Sequence, residues 1–280
     1  MKPFPIPVIG ESPFPPEEEE LLQVIVSPGE MPVFRMPARR DPATPEEEQA
    51  AAEVIGQFLA LLDDGQPGAS ADPALSLYGL APGVVRVLNE TLGEGEVSAK
   101  LGSHAAVQET AFAGFWRIRR YGADGQLSGD TLEACAIPQV IREQARGAAS
   151  LAAPPATPGL MNAPALLAEI LDRVGRYRAT GASHIINLTL LPMTPEDMAY
   201  LDAALGRGSV SLLSRGYGNC RITATALDGV WWVQYFNASE TLILNTLEIT
   251  RMPEVALAAP EDLADSRERL ADCLEVLREG

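Results

Sequence analysis

The sequence is short of the residues from which many active sites are built. Among 280 residues there are two histidines and three cysteines. Cys135, Cys220 and Cys273 form neither a disulfide framework nor a CxxC knuckle, and neither His104 nor His184 lies near a cysteine in sequence. No apolar run is long enough to cross a bilayer. The longest, around Ala50–Leu62, is broken by Glu53 and Gln57, whereas a spanning helix needs about 20 residues. Pro3, Pro5 and Pro7 stand where a signal peptide needs an apolar helix. Basic residues are scarce too, 21 against 38 acids, for a formal charge of −17. That charge repels phosphate backbones and anionic lipid. These absences predict a cytoplasmic protein that inserts into no membrane and binds no nucleic acid. Its 46% apolar content suffices for a real core, and its acidity would attract a basic partner segment.

Proline is unevenly spread, with eleven of the 23 in the first 45 residues. Residues 1–43 read as a Pro-rich arm carrying the acidic run Glu17–Glu20 and one strand-like stretch, Leu22–Ser27. Thr44 and Pro45, followed by three glutamates, then start a helix running to about Leu62.

The chain resembles itself. A shift of 113 residues pairs LSLYGLAP (75–82) with LTLLPMTP (188–195), and LNETLGEGEVS (88–98) with LDAALGRGSVS (201–211). A shift of 115 then pairs TAFAGFW (110–116) with TALDGVW (225–231), and TLEACAIP (131–138) with TLEITRMP (246–253). The expected fold is therefore α+β, with two pseudo-symmetric repeats, each a mixed or antiparallel sheet flanked by helices. The units span 44–146 and 165–280, joined by a Pro/Ala linker, 147–164. In each, a short strand (75–77; 185–191) precedes a helix begun at Pro82 or Thr194 and stopped at Gly93 or Gly206. Three strands follow, near 209–214, 219–236 and 241–250 in the second unit. The long middle stretch is either two strands joined at Asp228–Gly229 or one strand bulged there. Ala113–Gly114 at the same place in the first copy, a poorer hairpin turn, favours the bulge. A helix closes each unit, near 138–146 and 260–278.

Subtracting one copy from the other separates scaffold from specialisation. Trp116 aligns with Trp231, Gly114 with Gly229 and Pro138 with Pro253, which marks them as structural. The segment Ser214–Arg221 (SRGYGNCR) has Lys100-Leu-Gly-Ser-His-Ala in its place in the first copy. Arg215, Tyr217, Asn219 and Arg221 are thus candidate partner contacts, residue types that favour interfaces among them. Trp232 faces Arg117 in the alignment and is a candidate exposed contact. Cys220 sits between Asn219 and Arg221, where a nearby arginine could lower its pKa and make it a metal ligand. Its counterpart is Ala105, however, so no symmetric ligand set emerges; a cysteine pointing into the core is the simpler reading. No nucleophile elbow, phosphate loop or other catalytic motif is present, so no catalytic residues and no cofactor are assigned.

Residues 191–249, LPMTPEDMAYLDAALGRGSVSLLSRGYGNCRITATALDGVWWVQYFNASETLILNTLEI, closely resemble the C-terminal region of HupH/HoxQ-type hydrogenase expression/formation proteins. GEGEVSA (93–99) and VQETAFAGFWRI (107–118) resemble the N-terminal copy of the same family. The resemblance implies a non-enzymatic accessory factor in [NiFe]-hydrogenase maturation. Its partner would be the precursor of the iron–sulfur small subunit, which carries a twin-arginine export signal, with other hydrogenase accessory proteins as further partners. An iron–sulfur or metal carrier acting through Cys220, and a small-molecule-binding protein or enzyme, are the alternatives.

Overall fold

The Thr44 cap is built as its sequence predicts. Its Oγ1 accepts from Glu47 N–H (3.3 Å) and its own N–H donates to Glu47 Oε2 (3.1 Å), a reciprocal box that satisfies two orphan donors of helix α1, Pro45–Asp64. A computed structural model describes residues 43–64, 72–156, 158–216 and 218–279 of the chain. The arm and its Leu22–Ser27 strand lie outside the described residues.

Six helices and ten strands follow one another in the described residues. After α1 come β1 (Ala74–Ser76), α2 (Pro82–Leu92), β2 (Val97–Leu101), β3 (Ala105–Glu109), β4 (Phe115–Tyr121), β5 (Leu127–Ala134) and α3 (Gln139–Gln144). The same succession begins again with α4 (Ala163–Thr180), β6 (His184–Asn187), α5 (Pro195–Leu205), β7 (Val210–Ser214), β8 (Asn219–Ala224), β9 (Val230–Phe236) and β10 (Leu242–Ile249). A 3₁₀ turn, Glu254–Ala256, and α6 (Pro260–Glu279) close the chain.

All ten strands join one antiparallel sheet in the order β1-β5-β4-β3-β2-β7-β8-β9-β10-β6. Read from either end the order is the same, with β1 in the place of β6 and β5 in that of β10. The centre is the pair β2–β7, in register from Val97 opposite Ser214 to Leu101 opposite Val210.

Three details differ from the sequence reading. The stretch 219–236 is not one bulged strand but the hairpin β8–β9. Its turn is set by Thr225, whose Oγ1 accepts from Leu227 N–H (3.2 Å), and by Gly229 at φ +78°. Thr110 and Gly114 (φ +79°) make the same turn between β3 and β4, with Phe112 N–H donating to Thr110 Oγ1 (3.2 Å). Only glycine takes that φ without strain. The hydroxyl and the glycine are common to both turns, which is why Ala113-Gly114 serves as well as Asp228-Gly229. Strand 185–191 is shorter than its apolar run, because Leu188–Leu190 form a 3₁₀ turn capped by the Asn187 side chain. And α6 packs on α1, in the first half, rather than on the strands that precede it: Leu270 and Leu274 bury with Ala51, Ile55 and Phe58.

Strand alternation places two helix layers on one face of the sheet. In the first half α1, α2 and α6 cover Phe115, Leu132 and Ala134. In the second, α4 and α5 cover Ile186, Val230, Leu247 and Ile249. The opposite face carries a single core from both halves, including Ala99, Val107, Ile118, Leu212, Ile222 and Val233, with Ile141 of α3 and Ala256 of the 3₁₀ turn packed on it. Trp116 and Trp231 both bury there, and Trp116 Nε1 donates to the Cys135 carbonyl (2.9 Å). Both tryptophans belong to the scaffold.

Candidate functional site

The two helix layers do not meet. The first reaches inward as far as β4, where Arg117 on β4 donates to Asn89 Oδ1 on α2. The second reaches as far as β9, where Trp232 packs on the α4–α5 cluster. Between them β3, β2, β7 and β8 present the same face with no helix of the described residues over it. Cross-strand register orders the side chains there into two rows. One runs Gln108, Ser98, Leu213, Arg221, Gln234, and the next Arg119, Ala106, Lys100, Ser211, Thr223. Each of these residues is half-buried or exposed. Their neighbours on the opposite face, such as Leu212 and Ile222, are wholly buried.

The predicted contact residues divide on this frame. Arg221 lies on the open face, with its guanidinium carbon 5.3 Å from the centre of the Phe236 ring, a cation–π arrangement. Asn219, two residues earlier, shares that face opposite Phe236 and is half-buried. Arg215 is exposed just past β7, its backbone N–H donating to the Glu96 carbonyl (3.1 Å). Tyr217 lies outside the described residues. Trp232 was expected to be exposed and is instead half-buried. Its indole Nε1 donates to Asn245 Oδ1 (2.5 Å), and its ring packs beneath α4 and α5. The cause is visible in the other half, where Arg117 and Asp130 occupy the aligned positions as a buried ion pair (2.6 Å). The second copy replaces that pair with an indole and an amide rather than with a surface contact.

Cys220 points into the core and is 3% exposed. Burial pushes its thiol up to about 11, against the hydrogen bond from Tyr235 that favours ionisation. That shift favours the thiol over the reactive thiolate at neutral pH. Cys135 is likewise pushed upward by burial. Among the described residues no three His, Cys, Asp or Glu side chains converge on a common point. An open cleft of about 380 Å³ between α1 and α6, lined by Glu48, Glu53 and Arg278 among others, holds none of the predicted residues. No helix among the described residues is long and apolar enough to cross a membrane.

Sequence reasoning missed Lys100, Arg119 and Gln108 as members of the open face. The alternation of polar and apolar residues along β2 (VSAKL) signals that Lys100 faces away from the core, whereas β4 (FWRIRRY) carries no such alternation to orient Arg119. Only register shows that they lie beside Arg221.

An α+β protein with one continuous antiparallel sheet, whose central strands carry no helix of the described residues on one face, is thus defined. The model of the HupH hydrogenase expression protein C-terminal conserved region matches the chain twice, over residues 42–152 and 160–277. The chain is 44% identical to the hydrogenase expression/formation protein HoxQ of Cupriavidus necator, over 98% of both chains. It is 41% identical to the hydrogenase expression/formation protein HupH of Rhodobacter capsulatus, again over 98% of both. A solved structure, the hydrogenase expression protein HupH from Thiobacillus denitrificans, is 33% identical with a TM-score of 0.39, covering 41% of this chain and 95% of its own. The chain belongs to the HupH/HoxQ family of hydrogenase expression/formation proteins.

Proposed function

We propose that this protein is a non-enzymatic accessory factor of [NiFe]-hydrogenase maturation, acting as an assembly chaperone. It would hold the iron–sulfur small-subunit precursor before export. The naming of relatives that span 98% of the chain supports the hydrogenase role. The observation that carries the binding role is the uncovered middle of the sheet, a broad face rimmed by two helix layers and bearing Asn219 and Arg221 with Arg215 at its end. Such a face suits a protein surface better than a small molecule, which calls for an enclosing pocket with a few converging polar groups. Arginine beside an aromatic ring is a frequent interface anchor. The carrier reading through Cys220 gains no support from a buried, protonated thiol.

Affinity capture from cells expressing the hydrogenase tests this reading. The tagged protein should retain the small-subunit precursor, and capture should fall at least fivefold for Arg215→Ala/Arg221→Ala. A parallel capture with the export signal deleted from the small subunit separates recognition of the signal from recognition of the body. No enrichment of small subunit by the wild-type protein would refute the chaperone assignment.

A further inference from the structure

We propose that the bare middle of the sheet is the docking face for an acidic segment of the partner protein. This inference rests on the binding role above and adds the partner's chemistry. It runs against the expectation from net charge, that an acidic chain attracts a basic segment.

The argument begins with which charges stand on the face. Lys100, Arg119 and Arg221 all project from it, and register places them in two adjacent rows. Arg119 and Lys100 are two strands apart in one row, about 10 Å at ~4.8 Å per strand. Lys100 and Arg221 are two strands and one row apart, roughly 12 Å. No carboxylate lies within ion-pair distance of these three among the described residues. Asp130 stands opposite Arg119 in register, but both its oxygens are held by Arg117, at 2.9 and 2.6 Å. Glu96 lies past the end of the strip, beside Arg215. The other groups on the strip are neutral: Ser98, Gln108, Ser211, Thr223 and Gln234.

Three cations without a carboxylate partner among the described residues thus share one face of a chain whose net charge is −17. The chain's net negative charge repels a carboxylate-rich segment in general, whereas these cations attract it, so the sign pattern also orients the encounter. Lys100 stands between the other two, and each spacing is somewhat longer than the Debye length of about 8 Å at physiological salt. The cations therefore act on a docked segment at contact range rather than as one long-range field. The space fits as well. From β4 to β9 is five inter-strand steps, about 24 Å. Helices about 10 Å across seated over those two strands leave roughly 14 Å, the width of one further helix or an extended strand. Carboxylates two turns apart on a helix are about 10.5 Å apart, close to the spacing of the cations.

The probe is a labelled helical peptide with glutamate at every seventh position and alanine, leucine and glutamine between, compared with the same peptide bearing lysine. Anisotropy should show that the intact protein binds the glutamate peptide and not the lysine peptide, with affinity falling at least tenfold between 50 and 300 mM salt. Lys100→Glu/Arg119→Glu/Arg221→Glu should lose binding at least tenfold, whereas Arg173→Glu/Arg176→Glu/Arg207→Glu, a triple reversal of equal charge away from the strip, should not. Lys100→Glu alone touches an exposed side chain and keeps the fold, and it should weaken binding at least threefold. Equal binding of both peptides, or charge reversal without effect, would overturn the proposal. So would a DNA duplex binding the same strip as tightly as the glutamate peptide. Capture of the hydrogenase small subunit by the charge-reversed protein at wild-type level would also overturn it while leaving the hydrogenase role intact. Failure of capture by the wild type, with peptide binding as expected, would refute that role and not the strip.

Discussion

At the scale of single residues, Asp197 is the most constrained polar group in the second half. It is fully buried on α5, yet its carboxylate stays ionised. Burial opposes the charge, but backbone N–H groups of Ala163, Met161, Thr194 and Asn162 all donate to it, at 2.9–3.2 Å, and hold it down at about 2. One side chain therefore completes the capping box of α5 and satisfies the start of α4. Asp197→Ala should cost roughly 3 kcal/mol in urea unfolding, since several buried donors lose a charged acceptor together. The sign of the pH effect follows from the depressed value. The unfolded carboxyl titrates near its ordinary 3.8, so the stabilisation is complete above about pH 5 and is lost as pH falls toward 2. The deficit of Asp197→Asn relative to wild type should shrink over that window and stay constant from pH 5 to 7. A deficit independent of pH would assign the stabilisation to packing. The cap itself was legible as Thr-Pro-Glu-Asp. That its aspartate reaches back to residues 161–163 was not, because those residues are adjacent only after folding.

At the scale of elements, α6 shows how far a helix can act from where sequence order puts it. It follows β10, but its apolar stripe closes the first half's core beside α1. Arg267 pairs with Asp63 of α1, and Arg269 lies over the Phe112 ring at 5.3 Å. The linker is held similarly at both ends. Ala148 bridges to the β8–β9 turn through hydrogen bonds with Ala226 and Asp228 (2.7 and 3.0 Å), and residues 161–163 meet Asp197. Leu270→Ala should cost about 3 kcal/mol as a cavity in a wholly buried site. Hydrogen exchange should then quicken in α1, at the other end of the described chain, before it quickens in α4. Unchanged protection in α1 would contradict the packing. The helices α1, α2 and α5 were legible because each has a cap or a stop. Between hairpin and bulge at 228–229 the sequence did not decide correctly, because Ala113-Gly114 in the first copy looks like a poor turn. The Thr110 and Thr225 hydroxyls that support both turns are not part of the turn dipeptide.

At the scale of the whole molecule, the halves share a sheet and a core. Leu212 of β7 and Ala99 of β2 are neighbours across the central pair, and both bury in the same cluster. The described body should therefore unfold as one unit rather than as two repeats. Trp116 reports on the first half, and Trp231 with Trp232 on the second. Urea midpoints of Trp116→Phe, and of Trp231→Phe/Trp232→Phe, should each show fluorescence and circular dichroism changing together. Separate fluorescence and dichroism transitions would show that the halves melt independently. The charge pattern belongs to this scale too. Net charge is a sum over the chain, and it conceals a cationic strip that appears only when β2, β4 and β8 are laid side by side.

The sequence by itself determined the fold class, the family, the helix caps and the two scaffold tryptophans. Each depends on neighbours along the chain or on a pattern repeated within it. It also placed Arg221 among the residues worth testing. Only the tertiary structure decided that Trp232 lies under helices, that α6 serves the first half, and that Lys100 and Arg119 stand beside Arg221. Those are matters of register and crossing, set by which strands pair across more than a hundred residues, and no local signal carries them.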